Sequence, residues 1–283
     1  MGTSILPQAL IFQDDGLAVT AAEPWIKGKI SIIERYLTSF VGSVAGRADS
    51  IVFIDLFAGN GIYSLGARKD LFFAPSLGSL SLGLPISKYI FCEQDHQQAH
   101  LLKVRVNKYF RGKNVVLLEG RPEDLIEKFK VYVPASDSKN RVAVFCVADP
   151  FTLDLDFAAL TKLADLGFNF LIPFTFVLND RLNYKHYLKT ARARLDKYLG
   201  IVPGNDKLES IESNAQFYKR MVQIYDSNML ALGLNTSITT HKVDSGLIEL
   251  PAYSIGFFSK KFSTKAIEND VRSMRHLQFD LFG

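Results

Sequence analysis

The stretch Ile51-Val52-Phe53-Ile54-Asp55-Leu56-Phe57-Ala58-Gly59-Asn60-Gly61 constrains the fold most, because an unbroken apolar run ends at a carboxylate and enters a glycine turn. A run that does not alternate is the pattern of a parallel strand covered on both faces. Asp55 then stands at the strand's carboxyl end, where open α/β sheets place their ligands. Gly59 and Gly61 allow positive φ and let the backbone approach a bound molecule with no Cβ in between. The combination suits a nucleoside-containing cofactor.

Three further β-rich runs follow. Lys88-Tyr89-Ile90-Phe91-Cys92-Glu93 ends in a second carboxylate, suited to two vicinal ribose hydroxyls. Asp55 and Glu93 are farther apart than the roughly 20 residues of a compact βαβ unit, which predicts an insertion within 66–86. Val115 to Leu118 leads into Glu119-Gly120-Arg121-Pro122-Glu123-Asp124, a turn with helix-start chemistry. Val142 to Ala148 stops at Asp149-Pro150-Phe151.

Asp55-x-Phe57-x-Gly59-x-Gly61 resembles the first motif of class I S-adenosylmethionine (SAM)-dependent methyltransferases. The resemblance implies a cofactor site made by Asp55, Phe57, Ala58, Gly59, Asn60, Gly61 and Glu93. The adenine would lie by Gly120 and Arg121, where the Gly-Asp pair frequent in such enzymes is replaced by Gly-Arg. Asp149-Pro150-Phe151 resembles the Asp/Asn-Pro-Pro-Tyr/Phe motif of amino-group methyltransferases, with one proline instead of two. It implies that Asp149 and the Pro150 carbonyl hold a target amino nitrogen while Phe151 stacks on a planar base of DNA or RNA. A dinucleotide fingerprint would place its third glycine at Ser64, so a nicotinamide oxidoreductase accounts for the chain less well.

Helical spacing of Ile26, Ile30, Ile33, Leu37, Phe40 and Val44 predicts a helix over 20–46, entered through Thr20, Glu23 and Pro24. Trp25, Lys27 and Lys29 fall at its start; they could face the cofactor mouth, although solvent is the ordinary place for such lysines. Helical patterns recur over 181–199 and 208–231, and Thr236–Lys242 and Ala252–Ser259 read as two closing strands. Five strand–helix units and this pair predict a doubly wound, Rossmann-like seven-stranded α/β sheet whose last strand runs antiparallel. The expected organisation is one domain over 1–283, with a cofactor half at 51–178, a helical segment at 181–232 and a closing part at 236–283. On the 181–199 helix, Tyr184, Leu188, Ala191, Leu195 and Tyr198 form one stripe. Lys185, Lys189 and Arg192 lie on other faces, available to phosphates or simply to water.

The order of parts resembles the three-Cys-motif partner (TcmP) family. The resemblance rests on Trp25-x-Lys27-x-Lys29 leading to Tyr36-Leu37, the Asp55 block, Gly78-Ser79, Phe91-Cys92-Glu93, Asp149-Pro150-Phe151, the Tyr253 to Phe258 strand and a helix ending in Leu281-Phe282. It implies a bacterial or archaeal methyltransferase-fold protein encoded beside a partner bearing three cysteines. Asn60 stands where the family often has proline, and Thr152 where glycine is common.

Composition narrows the alternatives. With 48% hydrophobic and 22% charged residues, the 283-residue chain reads as globular. Its longest apolar run, Phe168 to Leu178, contains Asn169 and Pro173 and falls short of the roughly 20 residues of a membrane span. No basic stretch precedes the Ile5 to Phe12 patch, so a cytoplasmic location is expected rather than a secretory one. Cys92 and Cys146 read as small hydrophobes, and no metal is expected. A net charge of +4 permits nucleic-acid binding without demanding it. The alternative to an active methyltransferase is a catalytically inactive protein of the same fold that binds nucleic acid or a protein partner.

Overall fold

The computed structural model describes residues 14–66, 70–202, 208 and 210–279. In chain order the strands are β1 (Thr20–Ala22), β2 (Ser50–Asp55), β3 (Ile62–Leu65), β4 (Asp70–Phe73), β5 (Lys88–Glu93), β6 (Val115–Glu119), β7 (Val142–Val147), β8 (Phe168–Pro173), β9 (Asn235–Lys242) and β10 (Ala252–Ser259). The helices are α1 (Trp25–Val44), α2 (Pro75–Ser81), α3 (His96–Tyr109), α4 (Ile126–Tyr132), α5 (Phe157–Asp165), α6 (Tyr184–Lys189), α7 (Arg192–Leu199), α8 (Asn214–Ala231) and α9 (Thr264–Phe279).

Seven strands form one sheet in the order β6-β5-β2-β7-β8-β10-β9. β10 is antiparallel to both neighbours, while β2, β5, β6, β7 and β8 run parallel, as the sequence predicts for a doubly wound sheet. The strand order reverses beside β2, so the carboxyl ends of β2, β5 and β7 open onto one crevice.

Alternate residues of β2 enter two separate apolar layers, which explains its unbroken hydrophobicity. Val52 and Ile54 join Phe129 of α4, Leu160 of α5, Leu195 of α7 and Tyr225 of α8. Ile51 and Phe53 join Phe40 of α1, Leu102 of α3 and Ile267 of α9. Each fully buried aliphatic or aromatic side chain in such a layer contributes about 1.5–3 kcal/mol.

Four expectations need correction. Thr20 begins no helix: Thr20–Ala22 is a strand pairing parallel with β3, and α1 starts at Trp25, behind Pro24. The insertion starts earlier than 66; β3, β4 and α2 form it, and β1-β3-β4 make a separate three-stranded sheet. The 181–199 helix is two helices interrupted at Thr190-Ala191. The helix expected from 208 begins at Asn214, because the Ser213 side chain accepts the Gln216 N–H and caps it there. Ile5 to Phe12 and Leu281-Phe282 lie outside the described residues.

Candidate active site

Asp55 ends β2 with its side chain almost fully withdrawn from solvent, at 2% exposure. One oxygen, Oδ1, accepts the Phe57 N–H at 3.1 Å. The other, Oδ2, is buried with no hydrogen-bond partner. Burial pushes this carboxyl up to about 7, with the negative charges of Asp149 and Glu93 adding to the effect and the Phe57 N–H and Lys29 opposing it.

The glycine turn is braced from below. Gly59 N–H donates to Glu93 Oε2 at 2.9 Å, and Asp95 N–H donates to Glu93 Oε1 at 2.8 Å. Each Glu93 oxygen thus accepts one backbone bond and keeps acceptor capacity for a ligand. Gly59 (φ +58°) has open space where a Cβ would stand, whereas a Cβ on Gly61 (φ +84°) would come within 2.7 Å of Leu77. The two glycines therefore differ: Gly59 borders open space, and Gly61 lets the turn pack on α2 and α3. Ala58 is buried, its N–H on the Cys92 carbonyl.

Asn60 faces the protein, not the crevice. Its Oδ1 accepts from the Ile62 N–H and from Arg105 Nη1, and its Nδ2 donates to Thr20 Oγ1. Arg105, fully buried on α3, also donates to the Asp15 carboxylate and the Ala18 carbonyl. The Asn60 side chain thus ties the turn to β1 and to the segment before it.

Asp149 lies two residues beyond β7, whose register pairs Val147 with Asp55. Its Oδ1 accepts from Thr175 Oγ1 at 3.0 Å, and its Oδ2 is 2.6 Å from Lys29 Nζ. Lys29 and Asp149 have side chains only 1% and 8% exposed. The same ammonium sits 4.2 Å from the centre of the Phe151 ring and 5.4 Å from that of the Trp25 ring. Burial pulls the Lys29 amine down from its usual value, against the pull of Asp149 and Asp55. Trp25 is fixed in turn by its Nε1–H on Glu23 Oε2, 2.7 Å away.

One crevice of about 130 Å³ brings much of this together, lined by Asp55, Phe57, Asp149, Pro150 and Phe151 along with Tyr63, Thr152 and Asp154. Gly120 lies outside its lining; its N–H reaches the Glu93 carbonyl and its φ of +139° packs it beside Leu125. Arg121 pairs with Glu123 at 3.4 Å.

Lys185 and Lys189 are exposed, while Arg192 is engaged by Asp196 one turn along α7 at 2.8 Å. Lys189 and Arg192 line a separate depression with Asp156 and Asp196. The link from α7 to the crevice is instead the Arg194–Asp154 ion pair.

Sequence reasoning leaves Lys29 between the cofactor mouth and solvent, and the structure buries it beside Asp149 of the crevice; Thr175 has no role in that reading. A signal is present for the first: Lys29 stands three residues after Ile26 and four before Ile33, within the apolar stripe of α1, so its burial is in register. Nothing comparable marks Thr175, which enters only through tertiary contact.

No protein-family model matches the sequence, and no curated protein is similar to it in sequence. Solved structures of similar fold include Trm1 from Pyrococcus horikoshii in complex with S-adenosyl-L-methionine, 14% identical with a TM-score of 0.47. That match covers 85% of this chain and 57% of Trm1, so the chain spans little more than half of that protein. Protein LPL1258 from Legionella pneumophila is 10% identical over 86% of this chain and 90% of its own, with a TM-score of 0.49. The small RNA methyltransferase HEN1 is 11% identical over 88% of this chain and 28% of its own, with a TM-score of 0.44. At these identities and TM-scores the likeness says nothing of activity or substrate. Among the described residues no helix is long and apolar enough to cross a membrane.

Proposed function

We infer that the chain is a SAM-dependent methyltransferase that modifies an amino nitrogen of a nucleic-acid base. The observation that carries this reading is that Asp55 and Phe57 of the first motif and Asp149-Pro150-Phe151, far apart in sequence, line one crevice at the carboxyl ends of adjacent strands.

The residues suit the cofactor. The unpartnered Asp55 Oδ2 is a buried acceptor fit for an ammonium group, such as that of the methionine moiety. Glu93 retains acceptor capacity for ribose hydroxyls, and the open side of Gly59 permits close approach. Phe57, Ala58 and Gly61 complete the turn, with Gly120 and Arg121 at the adenine end; Asn60 would support the turn from behind.

When bound, the cofactor supplies a methyl group already activated by its sulfonium. The chain's own contribution is orientation and exclusion of water. Asp149 accepts a hydrogen bond from the target amino group, the Pro150 carbonyl accepts a second, and Phe151 stacks on the base. Lys185 and Lys189 would meet the phosphates of the DNA or RNA, with Arg192, already paired with Asp196, adding little. The proposed working form is a single cytoplasmic methyltransferase-like domain, and the family resemblance adds a partner bearing three cysteines.

Calorimetric titration with SAM and S-adenosylhomocysteine tests the cofactor site, with Asp55→Ala as control. Micromolar binding lost in the variant supports it, and labelled methyl transfer to DNA and RNA oligonucleotides then tests the acceptor. No binding by folded wild-type protein sinks the reading.

A second reading draws on one observation: both Asp149 oxygens already hold protein partners. In that case the fold binds nucleic acid or a protein partner without transfer. Salt-sensitive oligonucleotide binding with no methyl incorporation would distinguish it.

A further inference from the structure

Lys29, Asp55, Asp149 and Glu93 bring three carboxylates and one ammonium to the ends of β2, β5 and β7. A lysine this deeply withdrawn from water is costly to keep unless its charge is matched. Here the match is specific: a 2.6 Å contact to Asp149, a hydrogen bond to Thr175 Oγ1 at 3.3 Å, and a cation held over Phe151 and Trp25. Resting on the methyltransferase reading for its consequence but not for its geometry, we propose that Lys29 is the positioning residue of both halves of the site. Its ammonium fixes the Asp149 carboxylate and the Phe151 ring where the acceptor binds, and its charge keeps Asp55 able to ionise where the cofactor binds.

The two roles meet because Asp55 and Asp149 share the crevice and repel each other. Without Lys29, two neighbouring buried carboxylates face Glu93 with no compensating ammonium beside them, and Asp55, already held up to about 7, becomes harder to ionise. A protonated Asp55 loses its attraction for an ammonium group, while Asp149 keeps only the Thr175 Oγ1 hydrogen bond to hold it toward the acceptor. Burial raises the hydroxyls of Tyr63, Tyr198 and Tyr253 and the thiols of Cys92 and Cys146 around the cluster, which stay neutral, while Asp154 in the crevice lining is matched by Arg194. Glu23, which holds Trp25, is raised by burial but brought below its usual value by hydrogen bonds from Ser245, Trp25 and Gly246, so it stays charged at neutral pH.

The test is a pH titration of the free protein labelled with carboxyl-13C aspartate, with the Asp55 signal assigned through Asp55→Asn. The Asp55 midpoint of Lys29→Met should lie above the midpoint shared by wild type and Lys29→Arg. Lys29→Met combined with Asp149→Asn should bring it back down, since the opposing charge is removed too; this pair also keeps the test open if Lys29→Met folds poorly. S-adenosylhomocysteine affinity, followed over the same pH range, should lose its acid limb at the same midpoints. An unchanged Asp55 midpoint in Lys29→Met, or a double variant that behaves as the single one, overturns the proposal. Failure of wild type to bind S-adenosylhomocysteine sinks the cofactor reading instead, and the 13C midpoints then decide the role of Lys29 by themselves.

Discussion

Lys29 of α1 and Asp149 beyond β7 are 2.6 Å apart with neither side chain more than 8% exposed, so a helix before the sheet and a loop at its centre share one buried ion pair. The pair also fixes the aromatic wall, because Phe151 and Trp25 pack around the same ammonium with ring centroids 6.4 Å apart. The residue that sequence motifs assign to the acceptor is thus held by a residue to which no motif assigns a role.

Breaking this pair from either side leaves an unmatched buried charge. Lys29→Met and Asp149→Asn should each destabilise the protein by about 3–5 kcal/mol, and the double variant by much less than their sum. Urea melts of the wild type and the three variants at neutral pH check this; additive losses would mean the pair is not coupled.

Asp55 carries a pH dependence of definite sign. Its carboxyl lies at about 7 in the fold against an ordinary value of 3.8, so the folded state binds the proton more tightly than the unfolded chain. Stability contributed by this group is therefore full below pH ~4 and lost as the pH rises to ~7. Asp55→Asn should match wild type near pH ~4 and exceed it at pH ~8 by up to about 4 kcal/mol, while losing SAM binding. Melting temperatures at the two pH values, set beside the titration, separate the fold's interest from the site's.

The two glycines of the turn should respond differently to alanine. At Gly61 a Cβ meets Leu77 at 2.7 Å and Leu102 at 2.9 Å with φ at +84°, so a loss of about 2–5 kcal/mol is expected. At Gly59 nothing lies within 4 Å, leaving about 1–2 kcal/mol of backbone strain and a methyl group where the cofactor would approach. Gly61→Ala should show in the melting temperature, and Gly59→Ala chiefly in cofactor affinity.

Unbroken apolar runs make β2, β5, β7 and β8 legible, because a strand covered on both faces must be apolar at every position. The closing pair β9 and β10 is legible from turn residues between a Thr-rich and an aromatic-rich stretch. β1 is not: three residues, Thr20–Ala22, pair with β3 only because the insertion brings β3 alongside, and no local pattern encodes a partner that distant. The break at Thr190-Ala191 escapes because the apolar stripe of 181–199 continues in register across it. In the site, Asp55, Phe57 and Asp149-Pro150-Phe151 line one crevice, but the partners of Asp149 come from α1 and from the end of β8. Charge pairing between distant elements has no signature in spacing, apart from a lysine inside an apolar stripe.

Arg105 gives a structural control outside the crevice. Its guanidinium joins Asp15, the Ala18 carbonyl and both oxygens of Asn60, so it holds the segment before β1 against the glycine turn. Arg105→Met should cost about 3–5 kcal/mol by stranding the Asp15 carboxylate. Limited proteolysis should then cut the variant between Asp15 and Thr20 faster than the wild type.

The basic face of α6 and α7 makes a quantitative statement about nucleic acid. Lys185 and Lys189 are exposed, whereas Arg192 is already paired with Asp196, so the two lysines should carry most of any phosphate contact. If each meets one phosphate, Lys185→Ala combined with Lys189→Ala should flatten the log–log salt dependence of binding by about 1.8 on duplex DNA and about 1.4 on a single strand. Adding Arg192→Ala should change the slope little, because that charge is locally compensated. Anisotropy of a labelled oligonucleotide between roughly 50 and 200 mM salt reads the slopes directly. A slope unaffected by the lysine pair would move the contact surface elsewhere, and the Arg194–Asp154 bridge at the crevice rim is the place to look, since it joins α7 to the residues that would receive the base.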